Sequence, residues 1–181
     1  NVRLVLNKFK YNAAIDPNGR SNDFYAGLHI VNGETGNHSV KIDMIIFEQW
    51  CTNGCIRRFN NKPIMMRKHS GNEISLLDMF EESLKDIQLK AEETMELFVE
   101  SKLDFITDPA NKLISIMDKR KEIFTDPVRE MVLSAYEKRP EQSRYGVISA
   151  ITQAAQIVSY DTLRLHIEKL AGDIMTKAVA I

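Results

Sequence analysis

The chain has 181 residues, of which 44% are hydrophobic and 27% charged, and its formal net charge is −1. These are ordinary values for a globular domain, and a chain of this size can support one hydrophobic core without disulfides or metals. The near-neutral charge alone argues against a general nucleic-acid binder. No run of about 18 apolar residues occurs, so we predict no membrane-spanning segment and no membrane partner, and no signal peptide is recognisable.

The charges are unevenly distributed. Residues 1–70 carry ten Lys or Arg and five Asp or Glu, a balance of +5, whereas residues 71–181 carry a balance of −6. Such asymmetry between two parts of one chain is typical of a protein whose basic part meets an anionic partner.

The first third of the chain has the pattern of strands. Residues 2–10 alternate between apolar and polar side chains, which predicts a half-buried strand. Further strands are predicted over residues 24–31 and 38–50, and the glycine-bearing segment 32–37 between them predicts a hairpin. A fourth short strand is predicted over residues 64–67.

After residue 71 the hydrophobic period changes to three and four, which predicts a long amphipathic helix. Its apolar stripe consists of Ile74, Leu77, Phe80, Leu84, Ile87, Ala91, Met95 and Phe98. The fold class predicted from both patterns is α+β: an N-terminal antiparallel sheet or hairpin, followed by a helical C-terminal two-thirds. We expect residues 1–181 to form a single domain, with a β-rich basic part over 1–70 and a helical acidic part over 71–181.

Proline marks the starts of two later helices. Asp108-Pro109 and Asp126-Pro127 each place a capping carboxylate before a proline at the first helical position. Arg139-Pro140 ends the second of these helices. Another helix is predicted over residues 144–157, and Ser159 or Asp161 is expected to cap a final helix that runs to Met175.

The segment from residue 49 to residue 72 carries the main candidate site, because it contains five Lys or Arg and no acidic residue. Cations with interleaved aromatic side chains can hold a phosphate backbone and stack on bases. A solvated basic loop beside an acidic helical body is the alternative. The candidate nucleic-acid-binding residues are Arg57, Arg58, Lys62, Arg67, Lys68, Trp50 and Phe59.

The two cysteines, Cys51 and Cys55, are too few for a disulfide-stabilised domain, and we expect free thiols in a reducing compartment. The segment from Cys51 to Cys55 is typical of a tight turn, because Asn53-Gly54 readily adopts positive φ. A zinc site that also uses His38 or His69 is the alternative, but its spacing is unlike that of structural zinc sites.

The search for catalytic chemistry finds no recognisable motif. The four histidines stand in no nucleophile motif, and no phosphate-binding loop occurs. We expect the glutamates of the long helix to form a solvated face. The sequence therefore predicts no catalytic residue, no cofactor and no metal.

Three segments together resemble a family of uncharacterised phage- and plasmid-encoded proteins, over about residues 24–160. Residues 28–36 resemble its strand–turn–strand element, and residues 51–54 its Cys-Thr-Asn-Gly turn. Residues 144–152 resemble a helix motif whose usual form is Gly-x-x-Asn-Ala-x-Thr, although Ser149 stands where that family has Asn. The resemblance implies a mobile-element origin and a setting in the host cytoplasm, and it implies no catalytic residue.

We therefore expect a phage or plasmid accessory protein that binds single- or double-stranded nucleic acid in recombination, replication or repair. A homo-oligomer would multiply the weak affinity of single sites. The alternative is a protein-interaction module that inhibits or redirects a host protein through its acidic helical face, as counter-defence factors do. An enzyme ranks third.

Overall fold

The computed structural model describes residues 2–12, 23–31, 39–48, 54–57, 64–68, 87–159 and 161–181. Five strands come first: β1 (Val2–Asn12), β2 (Asp23–Val31), β3 (Ser39–Glu48), β4 (Gly54–Arg57) and β5 (Met65–Lys68). Five helices follow: α1 (Ile87–Leu103), α2 (Pro109–Asp118), α3 (Asp126–Lys138), α4 (Arg144–Ile157) and α5 (Asp161–Met175). The predicted α+β class, with strands before helices, is confirmed.

The strands form one antiparallel sheet in which β1 pairs with β2 and β2 with β3, while β4 and β5 both pair with β3. The predicted hairpin is confirmed by the register of β2 and β3, which places Leu28 opposite Met44. The short strand predicted over residues 64–67 is β5. Strand β4 was not predicted, because its first residue, Gly54, was interpreted as part of a tight turn.

The two faces of the sheet pack against different helices. On one face, Leu28 and Met44 are buried in a cluster with Ile87 and Ala91 of α1. The opposite face becomes apolar at Ile45 and Phe47, which pack with Leu165 of α5. The predicted stripe of the long helix is confirmed from Ile87 to Phe98, and its earlier part lies outside the described residues.

Gly27 allows β1 and β2 to approach closely on the second face. A Cβ at this position would collide with the backbone oxygen of Leu4 and with the ring of Phe47. No other residue type fits here without movement of β1, so the side chain of residue 27 is limited by packing.

Helix α4 lies at the centre of the helical part. Ten of its residues are buried: Tyr145, Gly146, Val147, Ile148, Ser149, Ala150, Ile151, Thr152, Ala154 and Ala155. A helix that is buried on nearly all sides is surrounded by other elements, and α4 contacts α1, α2, α3 and α5. The segment that resembles the phage and plasmid helix motif therefore serves packing in this structure.

The start of α4 is tied to the rest of the helical part by hydrogen bonds. The Ser143 hydroxyl accepts from the Gly146 backbone N–H at 3.1 Å, which caps the helix. Arg144 donates from Nε to the Asp104 carboxylate at 2.8 Å and from Nη1 to the Ile174 carbonyl at 3.2 Å. The hydrogen bond from Arg144 lowers the pKa of Asp104 below its ordinary value of 3.8.

The sheet and the helices meet at three aromatic rings. Phe24 of β2, Phe98 of α1 and Tyr145 of α4 contact one another, with ring centres 4.4 to 5.7 Å apart. The Lys102 ammonium lies 3.8 Å from the centre of the Tyr145 ring, a cation–π contact. The two regions therefore share one hydrophobic core, to which Ile46 of β3 also belongs.

The predicted helix ends are largely confirmed. Asp108 caps α2 by accepting from the Asn111 backbone N–H at 3.1 Å. The assignment of Asp126 as a cap was wrong: Thr125 holds the cap position of α3, and Asp126 is the first helical residue. A carboxylate is favourable both at the cap position and at the first helical position, because both lie at the positive end of the helix dipole. The sequence pattern therefore does not distinguish the two positions.

Candidate nucleic-acid interface

Three of the seven predicted nucleic-acid-binding residues lie on described strands. Arg57 ends β4, and Arg67 and Lys68 end β5. The remaining four candidates lie outside the described residues: Trp50, Arg58, Phe59 and Lys62. The backbone of the three described residues therefore locates the candidate interface.

Strands β4 and β5 lie end to end along the same edge of β3. Strand β4 finishes with Arg57 opposite Met44, and β5 starts with Met65 opposite Ile42. The two short strands are therefore two parts of one edge, and Asp43 of β3 lies between the partners of β4 and those of β5. We name the backbone of β4 and β5 the basic edge.

The basic edge brings together residues that are distant in sequence. Arg57 lies opposite Met44 and Arg67 opposite Val40. Four positions of β3 separate these partners, which corresponds to about 14 Å along the strand. Arg57 and Arg67 are ten positions apart in sequence. The break between β4 and β5 brings their backbone positions closer than ten residues of continuous strand would.

The register also divides the three cations between the faces of the sheet. Residues directly opposite each other share a face, and successive residues alternate. Arg57 and Arg67, opposite Met44 and Val40, take positions on one face, whereas Lys68, opposite Ser39, takes a position on the other. Arg57 and Arg67 take positions on the face that packs against α1, and Lys68 takes a position on the face that packs against α5.

An edge strand offers backbone donors as well as side chains. Among the described strands, β4 and β5 pair with β3 alone, so their outer N–H groups are not used by another described strand, although α5 contacts β4. Backbone N–H groups commonly donate to phosphate oxygens in nucleic-acid complexes. Neither strand contains an acidic residue, so no negative side chain of β4 or β5 opposes the charges of Arg57, Arg67 and Lys68.

At the opposite edge of the sheet, a cation of β1 is engaged by residues of β2. Lys10 of β1 contacts the Asp23 carboxylate at 2.6 Å and lies 5.6 Å from the ring centre of Tyr25. The hydrogen bond to Asp23 raises the pKa of Lys10. Part of the basic excess of residues 1–70 is therefore neutralised locally.

The register also reveals a pair that sequence reasoning missed. His29 of β2 lies directly opposite Asp43 of β3, and each is 1% exposed. Directly opposite residues place their Cβ atoms about 4.5–5.5 Å apart. The one available signal was the charged Asp43 within an apolar run. The sheet therefore buries two titratable side chains at neighbouring positions.

The described residues contain no group of three or more His, Cys, Asp or Glu side chains that could hold a metal ion. Cys55 lies in β4 opposite Ile46, whereas Cys51 lies outside the described residues. It stays a prediction that both thiols are free and bind no metal. Thiol titration under denaturing, non-reducing conditions would check the first part, and elemental analysis of the protein the second. Over the described part of the chain, no helix is long and apolar enough to cross a membrane.

The comparisons with known proteins identify no relative. No protein-family model matches the chain, and neither a curated protein nor a solved structure is significantly similar to it. The resemblance to phage- and plasmid-encoded proteins therefore stays a hypothesis, and functional inference depends on the geometry and charge of the chain itself.

Proposed function

We propose that the chain is a phage or plasmid accessory protein that binds nucleic acid along the basic edge, in recombination, replication or repair in the host cytoplasm. The observation that supports it is that Arg57, Arg67 and Lys68 end two acid-free strands that lie along one edge of β3. The acid-free segment 49–72, which contains the basic edge, adds Arg58 and Lys62 between these two residues.

The physical reason is the polyanionic character of the ligand. A protein that neutralises phosphates with Lys or Arg releases condensed counterions, so its affinity falls steeply as salt rises. Keeping acidic residues out of a 24-residue segment preserves a positive potential that would otherwise cancel. Trp50 or Phe59 adds base stacking if the ligand is single-stranded.

The test is binding of labelled single- and double-stranded oligonucleotides at about 50 and 200 mM salt, the range over which phosphate contacts weaken strongly. We expect binding to weaken with salt, and we expect the double variant Arg57→Glu/Arg58→Glu to lose it. A charge-matched control, Lys121→Glu/Lys138→Glu, changes two exposed lysines, one in the turn after α2 and one at the end of α3, and should retain binding. Absence of binding to any DNA or RNA at the lower salt would contradict the proposal.

Folding of these variants is checked separately. Exposed charges contribute little to stability, so the melting temperatures of both double variants should stay near that of the wild type. If Arg57→Glu disturbs the edge, the milder Arg57→Gln/Arg67→Gln variant removes one charge from each of β4 and β5. We expect it to bind more weakly than Lys68→Gln, because it removes two charges rather than one.

A specific surface supports the alternative, a protein-interaction module. Helix α1 exposes Glu92, Glu96 and Glu100 in one row, between the exposed side chains of Leu89 and Leu103. Like charges four residues apart destabilise a helix by a few tenths of a kcal/mol per pair, so this row has a structural cost that a cationic host protein would offset. This function would be favoured if a host protein bound to the wild type but not to Glu92→Lys/Glu96→Lys. The wild type should then also fail to bind nucleic acid.

A further inference from the structure

A pocket lies in the helical part, between α2 and the segment 178–181, and has a volume of about 600 Å³. That volume is within the range of small-molecule sites in proteins. The α2 side of the pocket is formed by residues whose spacing places them on one helix face. They are Lys112, Ser115, Ile116, Lys119 and Arg120.

The polar side chains of the lining are all basic or neutral. Three cations contribute to it, Lys112, Lys119 and Arg120, and no acidic side chain is among its described lining residues. The nearest acidic residues of the same helix are engaged elsewhere. Asp118 contacts Arg129 of α3 at 2.8 Å, and Asp108 accepts from Asn111 at the helix start. The hydrogen bonds from Asn111, and less strongly the charge of Lys112, lower the pKa of Asp108, so Asp108 offsets part of the charge of Lys112 but not that of Lys119 or Arg120.

Helix electrostatics explain only part of this arrangement. Lys119 and Arg120 follow the C-terminal end of α2, where cations complement the helix dipole. Lys112 lies in the first turn, where the same dipole disfavours a cation. Its position costs the helix a little stability, and an anion shared with the other two cations would offset that cost.

The rest of the lining is apolar. Ile116 is 5% exposed and belongs to the main core, and Val179 and Ile181 pack against the same core. The Ser115 hydroxyl lies between the cations on the helix face. Lys112 and Lys119 are separated by seven residues, about 10 Å along the helix axis, which suits a ligand whose negative charge is spread over more than one group.

We propose that this pocket binds a small organic polyphosphate of the nucleotide class, with its phosphates on Lys112, Lys119 and Arg120 and its less polar part against Ile116 and Val179. This site is separate from the basic edge and does not depend on nucleic-acid binding.

The first test is titration calorimetry with ATP, pyrophosphate and adenosine, each up to about 1 mM, the weak end of specific affinities. We expect ATP to bind one to one. Pyrophosphate and adenosine should each bind at least about tenfold more weakly, because each lacks one of the two contact types. No ATP binding, or pyrophosphate binding as tight as that of ATP, would overturn the proposal.

Variants then locate the site. Lys119→Ala/Arg120→Ala should weaken ATP binding by about ten- to hundredfold, the usual effect of losing charged hydrogen bonds. Lys121→Ala/Lys138→Ala, the matched control, should leave ATP binding unchanged. Arg57→Glu/Arg58→Glu should also leave it unchanged, which separates this pocket from the basic edge. Equal loss in the control, or no loss in Lys119→Ala/Arg120→Ala, would contradict the proposal.

A single substitution of Val179 gives an independent check that spares the cations. Val179→Asp places a negative charge on the pocket wall, and Val179→Asn places a neutral side chain of the same shape there. We expect the Asp variant to lose ATP binding and the Asn variant to keep most of it, with similar melting temperatures. Equal ATP affinity in the two variants would show that the ligand does not occupy this pocket.

Discussion

The helices and the sheet of this protein differ in how residues find their neighbours. In the helical part, neighbours are three or four positions apart, so Leu113, Ile116 and Met117 share a buried face through spacing alone. In the sheet, Arg57 reaches the neighbourhood of Arg67 only because both strands pair with β3. Spacing thus identifies the core of the helical part, whereas pairing creates the candidate interface of the sheet.

The largest effect is expected in the helical core. Ile167 of α5 is fully buried, and Ile167→Ala should lower the free energy of unfolding by about 2–5 kcal/mol, the usual range for large core truncations. Ile157→Ala is the control, because Ile157 is 64% exposed and should change stability by less than about 0.5 kcal/mol. Urea unfolding measures both.

A similar cost for both isoleucines would mean that burial in the helical part does not follow the spacing of its apolar residues. The same loss of about 2–5 kcal/mol is predicted for Phe80→Ala and Leu84→Ala, from the sequence stripe alone. These two positions lie outside the described residues, so their unfolding measurements test the predicted helix before Ile87.

A smaller effect is expected where pairing, rather than spacing, sets the packing. Gly27→Ala should destabilise the protein by about 1–3 kcal/mol, as overpacking does, because its Cβ meets β1 and the Phe47 ring. Adding Phe47→Leu should recover part of that loss, since it removes one of the two collisions. A loss of less than about 0.5 kcal/mol in the free energy of unfolding of Gly27→Ala would contradict the close approach of β1 and β2.

The smallest effect concerns pH and the hydrogen bonds at the start of α4. The lowered pKa of Asp104, caused mainly by Arg144, stabilises the folded state above pH 3.8 and ceases to do so as the pH falls through the folded value. Asp104→Asn should therefore be less stable than the wild type near neutral pH. The difference should shrink below pH 3.8, as thermal unfolding between pH 7 and pH 3 would show. A difference that does not change over that range would contradict the role of the charge.

These differences explain what sequence could predict. Helices α2 to α5 follow from apolar spacing and from local start and stop signals such as Asp108-Pro109 and Arg139-Pro140, because the relevant contacts are local. The hairpin of β2 and β3 follows from alternation around a glycine-bearing turn. Strand β4 was missed because Gly54 also fits a turn, and a strand of four residues has too short a pattern to distinguish.

The candidate site was predictable in composition but not in arrangement. The acid-free segment 49–72 identified the basic residues directly. Their division between faces, with Lys68 apart from Arg57 and Arg67, depends on register, which a shift of one residue would reverse. The His29–Asp43 pair depends on the same register. The basic pocket at α2 was missed because residues 178–181, which complete it, lie about 60 positions away in sequence from Arg120.

Hydrogen–deuterium exchange with and without an oligonucleotide tests the central claim most directly, because it reports backbone protection along the whole chain. With nucleic acid bound, the peptides that contain β4 and β5 should exchange more slowly, and peptides from α3 should not change. This is the expected result if the basic edge carries the contact. Protection confined to the helices, with β4 and β5 unchanged while the oligonucleotide is bound, would contradict it.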